Sequence, residues 1–234
     1  MHLASWLVKF SRGEIILWLL SVLASAGAAL LFGTDSPLSL AASIVGVTSL
    51  IFLAKGNPIG QVLMLVFSVL YGIISYQAAY YGEMLTYLGM TAPMAAAALV
   101  SWLRHPYKDD AAGARTVAVA RLSRRSILMT AVLTAAATLL SWPLLAWLGT
   151  ANLFFSVLSV STSFAAVYLT YLRSAAYALG YALNDAVLIV LWALAARDNM
   201  ECLSMVVCFA AFLINDLYGF VNWQRMRALQ EGQM

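Results

Sequence analysis

The sequence predicts an all-α, polytopic integral membrane protein with about eight transmembrane helices. Of its 234 residues, 63% are hydrophobic and 10% are charged, whereas soluble domains carry about 25% charged residues. Eight apolar segments are long enough to cross a hydrocarbon core about 30 Å thick. When both chain ends are placed on one side of the membrane, all 13 lysines and arginines except Arg197 fall on that side.

Turn-forming and charged residues separate the apolar segments and define the helices in order. The first helix follows Lys9 and Arg12 and ends before the turn at 33–37, which contains Gly, Asp, Ser and Pro. These residue types favour turns. The second helix ends at a similar turn at 55–58. The predicted spans are 14–32, 38–54, 59–80, 83–103, 126–148, 151–172, 175–196 and 201–223.

The later connections are short, with one exception. The connection at 104–125 is long and strongly basic, and its cations are Arg104, Lys108, Arg115, Arg121, Arg124 and Arg125. The positive-inside rule places this connection and both chain ends in the cytoplasm. We therefore expect a multi-pass membrane protein with both chain ends in the cytoplasm. Because the net charge of +3 reflects this topology, we expect the lipid bilayer as a partner and no nucleic acid.

A weak internal repeat is visible in the sequence. The segment 43–49 resembles 156–162, and the third helix of each set ends in Trp-x-Arg, at Trp102 and Trp223. We interpret both tryptophans as anchors at the membrane surface. Two sets of three helices around one linker helix have the same orientation, unless the similarity arose by chance. The chain 1–234 would then be one transmembrane domain, with an extra N-terminal helix at 1–32, a first repeat at 38–104, a basic loop and linker helix at 105–150 and a second repeat at 151–227.

Polar side chains within the predicted spans are the candidates for a functional site, because they are expensive inside a bilayer. Asn184 and Asp185 lie near the middle of the seventh span, and Asn215 and Asp216 lie in the eighth. In one alternative, Asn184 and Asn215 bond each other across the helices. The two aspartates need a cationic ligand, a proton or an asparagine neighbour, since a lone buried carboxylate is costly.

The sequence contains no recognisable catalytic set. Its two histidines, His2 and His105, lie in terminal or loop positions, and no phosphate-binding glycine loop or metal-ligand cluster is present. We therefore expect no enzyme activity, no cofactor and no metal.

Several motifs resemble the PnuC-type nicotinamide riboside transporters. They are the Lys-Gly-Asn-Pro-Ile-Gly segment at 55–60, the Tyr-Gly-Ile-Ile-Ser-Tyr-Gln segment at 71–77, the Tyr-Gly-Glu segment at 81–83 and the Asn-Asp-Leu-Tyr-Gly-Phe-Val-Asn-Trp segment at 215–223. The resemblance covers about residues 38–227. It implies a 3+1+3 helix plan related to the SWEET sugar transporters. It also implies import of nicotinamide riboside by facilitated diffusion across the bacterial inner membrane, with trapping by cytoplasmic phosphorylation.

The spacing i, i+3, i+7 places Asn215, Tyr218 and Asn222 on one face of the eighth span. This polar face and the resemblance together define the expected substrate site. Aromatic faces can hold the pyridinium cation of nicotinamide riboside, and asparagines can bond its ribose and carboxamide. The expected binding residues are Asn184, Asp185, Trp192, Asn215, Tyr218, Asn222, Tyr71 and Gln61. Thiamine and riboflavin are alternative ligands, and a membrane receptor or assembly subunit that transports nothing is an alternative of another class. We also expect a homo-oligomer, with a trimer as one candidate form.

Overall fold

The computed structural model describes residues 9–32, 37–109 and 114–232. In these ranges, eight helical segments are long and apolar enough to cross a membrane, which confirms the prediction of about eight spans. The helices are α1 Arg12–Leu31, α2 Pro37–Ala54, α3 Ile59–Gln77, α4 Tyr81–Leu85, α5 Ala92–Arg104, α6 Arg124–Trp147, α7 Leu153–Tyr171, α8 Tyr177–Ala195 and α9 Leu203–Gly232. Because successive spans alternate in direction, α1 begins and α9 ends at one end of the protein, here called the terminal end.

The fourth span is interrupted, whereas the sequence predicted one continuous helix over 83–103. A π-helical segment, Thr86–Thr91, joins α4 to α5, and the Ala92 N–H bonds the Tyr87 carbonyl. Pro93 explains the interruption, because proline has no N–H to donate and its ring clashes with the carbonyl four residues earlier. A wider turn of helix accommodates both effects.

The long connection is also more ordered than the predicted loop. It contains two short antiparallel strands, β1 Pro106–Asp109 and β2 Ala114–Val117, and α6 follows as the least buried of the spanning helices. The last helix, α9, extends nine residues beyond the predicted end at 223, to Gly232. Its final turns pack against the connection, where Arg121 Nε lies 2.7 Å from Glu231 Oε1. This hydrogen bond raises the pKa of Arg121.

Residues 117–120, here called the connecting segment, hold the terminal end together. Four successive N–H groups of the connecting segment each bond a different part of the protein. The pairs are Val117 to the Gly56 carbonyl at 3.0 Å, Ala118 to His105 at 2.9 Å, Val119 to the Gln230 side chain at 2.8 Å and Ala120 to Arg173 at 2.9 Å. The segment therefore links both predicted repeats to the end of α9.

Trp102 and Trp223 are buried inside the protein, so their interpretation as surface anchors was wrong. Both side chains are 0% exposed, and their ring centroids are 5.4 Å apart. Trp102 Nε1 donates to the Thr170 carbonyl at 3.1 Å, and Trp223 Nε1 donates to the Leu53 carbonyl at 2.8 Å. Each predicted repeat thus bonds, through its third helix, the end of the other repeat's first helix. Two-fold related units make such reciprocal contacts.

Candidate functional site

A cavity of about 350 Å³, here called the vestibule, opens at the end opposite the terminal end. The α3–α4, α6–α7 and α8–α9 connections surround it. Asp198 and Glu201 lie at its rim, Asn152 lines its wall, and Tyr80 and Trp192 line its inner part. The volume falls within the range of about 300–1,000 Å³ that is usual for small-molecule sites.

Tyr80 and Trp192 form an aromatic floor beneath the vestibule. Their ring centroids are 5.2 Å apart and their planes meet at 89°, which is a favourable edge-to-face arrangement. The Tyr80 hydroxyl donates to the Leu191 carbonyl at 3.0 Å and accepts from Asn152 Nδ2 at 3.2 Å. Each of the two floor side chains is only 1% exposed. The floor therefore separates the vestibule from the groups below it.

A polar chain continues from the floor toward the membrane interior. Trp192 Nε1 donates to the Tyr71 hydroxyl at 2.8 Å, and Tyr71 in turn lies 3.5 Å from Glu83 Oε2, the upper limit for a hydrogen bond. The Ser159 hydroxyl donates to the other Glu83 oxygen. Glu83 is 0% exposed, and within the described part of the chain its side chain is bonded by the hydroxyl groups of Tyr71 and Ser159. The carboxyl group thus lies in the protein interior without a basic side chain bonded to it.

Sequence reasoning missed Glu83 as a candidate. In the sequence, Glu83 stands at the start of the predicted span 83–103, and in the structure it lies in the first turn of α4. The available signal was an acidic residue at the edge of an apolar span, in a chain with very few acidic residues. Its separation from Ser159 by 76 positions could not be read from helical periodicity.

A second polar layer lies deeper, on α8 and α9. Asn184 Oδ1 accepts hydrogen bonds of 2.9 Å from both Thr162 and Ser163. Asp185 and Asp216 are 3% and 4% exposed, and their side chains interact with each other. Within the described residues, Asn184 Nδ2 and Asp185 Oδ2 are buried without a hydrogen-bond partner. Such unpaired atoms are costly in a bilayer, and both could bond a ligand.

The comparisons with known proteins agree with this architecture. The family described as nicotinamide mononucleotide transporter matches residues 36–225. The chain belongs to this family. It is also similar to the nicotinamide riboside transporter PnuC of Neisseria mucosa, with 28% identity over 217 residues, 92% of this chain and 82% of that protein.

Two further similarities extend the comparison. The nicotinamide riboside transporter PnuC of Haemophilus influenzae is 25% identical over 192 residues, which cover 82% of this chain and 81% of that protein. The crystal structure of the vitamin B3 transporter PnuC superposes with a TM-score of 0.86 and 25% identity, and the match covers 98% of this chain and 100% of that structure.

In this member of the transporter family, Asn184 and Asn215 do not bond each other, so that alternative was wrong. Asn215 Nδ2 donates to Ser21 Oγ on α1 at 2.9 Å and to the Ala211 carbonyl at 2.8 Å. Asn215 therefore faces the extra helix α1, whereas Asn184 faces α7. Helical spacing showed which residues share a face of α9, but it could not show which neighbour that face meets.

Tyr218 and Asn222 also face away from the polar chain beneath the vestibule. The Tyr218 hydroxyl donates to Glu14 Oε1 at 2.7 Å, and Glu14 forms an ion pair of 2.9 Å with Lys55. Asn222 Nδ2 donates to the Ala54 carbonyl at 2.7 Å. These contacts fasten α9 to α1 and α2 near the terminal end. The role of the two side chains in binding stays a prediction.

The other expected binding residues are divided between two levels of the protein interior. The structure brings Tyr71 and Trp192 together beneath the vestibule, and it brings Asp185 together with Asp216. Gln61 lies in the first turn of α3, at the terminal end of the protein. It is 1% exposed, and its Nε2 has no hydrogen-bond partner within the described chain. In the part of the chain that the structure describes, no group of three or more His, Cys, Asp or Glu side chains could hold a metal ion.

Proposed function

We propose that this chain imports nicotinamide riboside across the bacterial inner membrane by facilitated diffusion. Both chain ends lie in the cytoplasm in this proposal, and the vestibule faces outward. One observation carries the choice of ligand. The vestibule is lined by aromatic, amide and carboxyl groups, and no lysine or arginine is among its described lining residues. Such a lining suits an aromatic cation.

The charge of the ligand decides between the riboside and its mononucleotide. Nicotinamide riboside carries one permanent positive charge on its pyridinium ring. The mononucleotide adds a phosphate, which proteins usually bind through arginine, lysine or a helix N-terminus. Because the exposed carboxylates of Asp198 and Glu201 would repel that phosphate, the riboside is the better ligand. The same repulsion supports metabolic trapping, since the phosphorylated product would not leave by this route.

The internal repeat is part of the proposal. The reciprocal hydrogen bonds of Trp102 and Trp223 support two repeats in the same orientation, at 38–104 and 151–227, with 105–150 as the linker and 1–32 as an extra helix. Transporters with such parallel repeats bind their substrate near the membrane midplane, between the repeats. The Tyr71–Trp192 pair joins α3 to α8, which are the second helices of the two repeats. A site between them fits this arrangement.

Thiamine is the second candidate ligand, because it also combines an aromatic ring with a positive charge. Riboflavin is uncharged and gains less from the carboxyl groups. A receptor or assembly subunit would bind a ligand without moving it. We also propose that the protein forms a homo-oligomer such as a trimer. Measuring the mass of the purified protein in detergent tests this.

Uptake into liposomes tests the proposed function. The purified protein should equilibrate labelled nicotinamide riboside across the membrane, without accumulating it when a pH or sodium gradient is imposed. Excess unlabelled riboside should compete strongly, and the mononucleotide, thiamine and riboflavin should compete weakly. Concentrative uptake would contradict facilitated diffusion. Stronger competition by thiamine or the mononucleotide would identify that compound as the substrate in place of the riboside. Binding without uptake would favour the receptor alternative.

A further inference from the structure

We propose that the vestibule is a capture site of its own, which binds a cationic nucleoside at the outer surface before the ligand reaches the membrane interior. This inference rests on the proposed function and adds a second binding position to it. The vestibule would also act as a charge filter, because it attracts the pyridinium riboside and repels the anionic mononucleotide.

The two rim carboxylates are held in place by the backbone of the α8–α9 connection. The Asp198 and Asn199 N–H groups both donate to the Ala195 carbonyl, at 3.1 and 3.0 Å. Asn199 Oδ1 accepts from the Glu201 N–H at 3.0 Å, and the Cys202 N–H donates to the Asn199 carbonyl at 3.0 Å. This ordered turn places Asp198 and Glu201 at the rim, where both are exposed.

Neither rim carboxylate is neutralised by the protein. In the described ranges, no salt bridge involves Asp198 or Glu201, and the neighbouring Arg197 is exposed and does not line the vestibule. A cleft lined by charges of one sign raises the local concentration of ligands of the opposite sign. The rim can therefore gather a cation from solution.

The rest of the cavity matches the other parts of a nucleoside. Tyr80 and Trp192 line the inner part of the cavity, where a small movement of these nearly buried rings would let a pyridinium group stack on them. Gln77 and Asn152 line the same cavity. Amide side chains can both donate to and accept from ribose hydroxyls and a carboxamide. The vestibule thus combines charge, aromatic surface and hydrogen-bonding groups in about 350 Å³.

The floor makes the vestibule a separate position rather than an open funnel. The Tyr80 hydroxyl is bonded to the Leu191 carbonyl near the end of α8 and to the Asn152 side chain in the α6–α7 connection, so it ties these two parts of the protein together. A ligand in the vestibule therefore stops above Tyr80, while Tyr71 and Glu83 lie below it. Passage requires these two hydrogen bonds to open, so capture and transfer are successive steps.

Neutralising the rim tests the capture site. The double variant Asp198→Asn with Glu201→Gln keeps the shape of both side chains and removes both charges. At low salt, its KM for riboside uptake should rise about three- to tenfold with an unchanged maximal rate, since electrostatic attraction acts on encounter. The difference should shrink at about 1 M salt, where the Debye length is near 3 Å. Arg197→Gln is the matched control on the same loop, and its KM should stay equal or fall.

An uncharged ligand separates attraction from loss of shape. The dihydro form of nicotinamide riboside lacks the pyridinium charge, so its inhibition constant should be the same in the double variant and the unaltered protein. The mononucleotide should inhibit the double variant more strongly. An equal loss of apparent affinity for charged and uncharged ligands in the double variant would overturn the capture site alone. An unchanged KM for the riboside at low salt would do the same. No riboside uptake by the unaltered protein would overturn the proposed function and the capture site with it.

Discussion

Trp192 on α8 donates a hydrogen bond of 2.8 Å to the hydroxyl of Tyr71 on α3, although 121 positions separate the two residues. The bond joins the second helices of the two predicted repeats directly beneath the vestibule. Tyr71 also lies next to Glu83, and Trp192 also packs against Tyr80. The pair therefore connects the aromatic floor to a carboxyl group in the membrane interior.

Removing either partner of this pair should weaken the same interaction. Trp192→Phe and Tyr71→Phe each keep an aromatic ring and lose the hydrogen bond. Each is expected to lower the free energy of unfolding by about 0.6–2 kcal/mol, the range for interhelical hydrogen bonds in membranes. The double variant should lower the free energy of unfolding by less than the sum of the two single decreases. Thermal unfolding in detergent measures the three variants, and strict additivity would show that the bond contributes nothing.

Glu83→Gln tests whether the buried carboxyl group balances the ligand's charge. The amide keeps the size of the side chain and one acceptor oxygen, and its NH2 group can donate to a hydroxyl that has rotated, so the fold should survive. Affinity for nicotinamide riboside should fall about tenfold, equivalent to about 1.4 kcal/mol, because an attraction between charges is lost. Ser159→Ala is the control, since it removes the neighbouring hydroxyl but no charge. Calorimetric titration in which Ser159→Ala loses as much affinity as Glu83→Gln would argue against the charge-balancing role.

Asn184 and Asn215 should respond differently to replacement by leucine. Asn184 has an unpaired Nδ2 in the deeper polar layer, so its loss should weaken riboside binding by about 1–3 kcal/mol. Asn215 is bonded to Ser21 on α1, so its loss should mainly lower thermal stability. Titration and thermal unfolding of both purified variants check this. The distinction fails if Asn215→Leu loses as much affinity as Asn184→Leu.

Gln230→Ala should loosen the connecting segment at 117–120. The Gln230 side chain accepts from the Val119 N–H and donates to the Val117 carbonyl at 3.1 Å. Without it, hydrogen exchange at 117–120 should quicken by about tenfold, as expected when about 1.4 kcal/mol of protection is lost. Gln224→Ala is the control, because Gln224 lies on the same helix and is exposed. Equal exchange in both variants would show that Gln230 does not hold the segment.

Cysteine labelling checks the orientation of the chain. In a variant without Cys202 and Cys208, a single cysteine at Asn199 should react with an impermeant reagent added to intact cells. A single cysteine at Arg121 should react only after the cells are opened. This outcome follows from the distribution of basic residues. Labelling of position 121 in intact cells would reverse the proposed topology.

The spans were predictable because each depends on local composition. Mean hydropathy and the turn at 55–58 are properties of adjacent residues. In the structure, α2 ends at Ala54 and α3 begins at Ile59. Pro93 could also have warned of the break in the fourth span. The strands of the connection were missed because Val117 bonds Gly56 in the turn at 55–58 and Gln230 on α9, and no local pattern encodes these contacts.

The candidate site was only partly predictable, for a different reason. Periodicity correctly placed Asn215, Tyr218 and Asn222 on one face of α9, but the tertiary structure decides that this face meets α1 and α2. Trp102 lies near the end of α5 and Trp223 near the end of the predicted eighth span, as surface anchors do, yet both are buried and form reciprocal bonds to Thr170 and Leu53. Glu83 was missed because its partners come from α3 and α7.

The contacts of Glu14 determine when the first helix can be completed during synthesis. Its carboxylate pairs with Lys55, 41 positions later, and with Tyr218, 204 positions later. The ribosome therefore delivers α1 to the membrane long before the last partner of Glu14 exists. Glu14 gains its last partner only when α9, the seventh span after α1, is inserted. A chain that stops short of α9 would keep the Lys55 ion pair of Glu14 but lack its Tyr218 hydrogen bond, so α1 would be fastened through α2 alone.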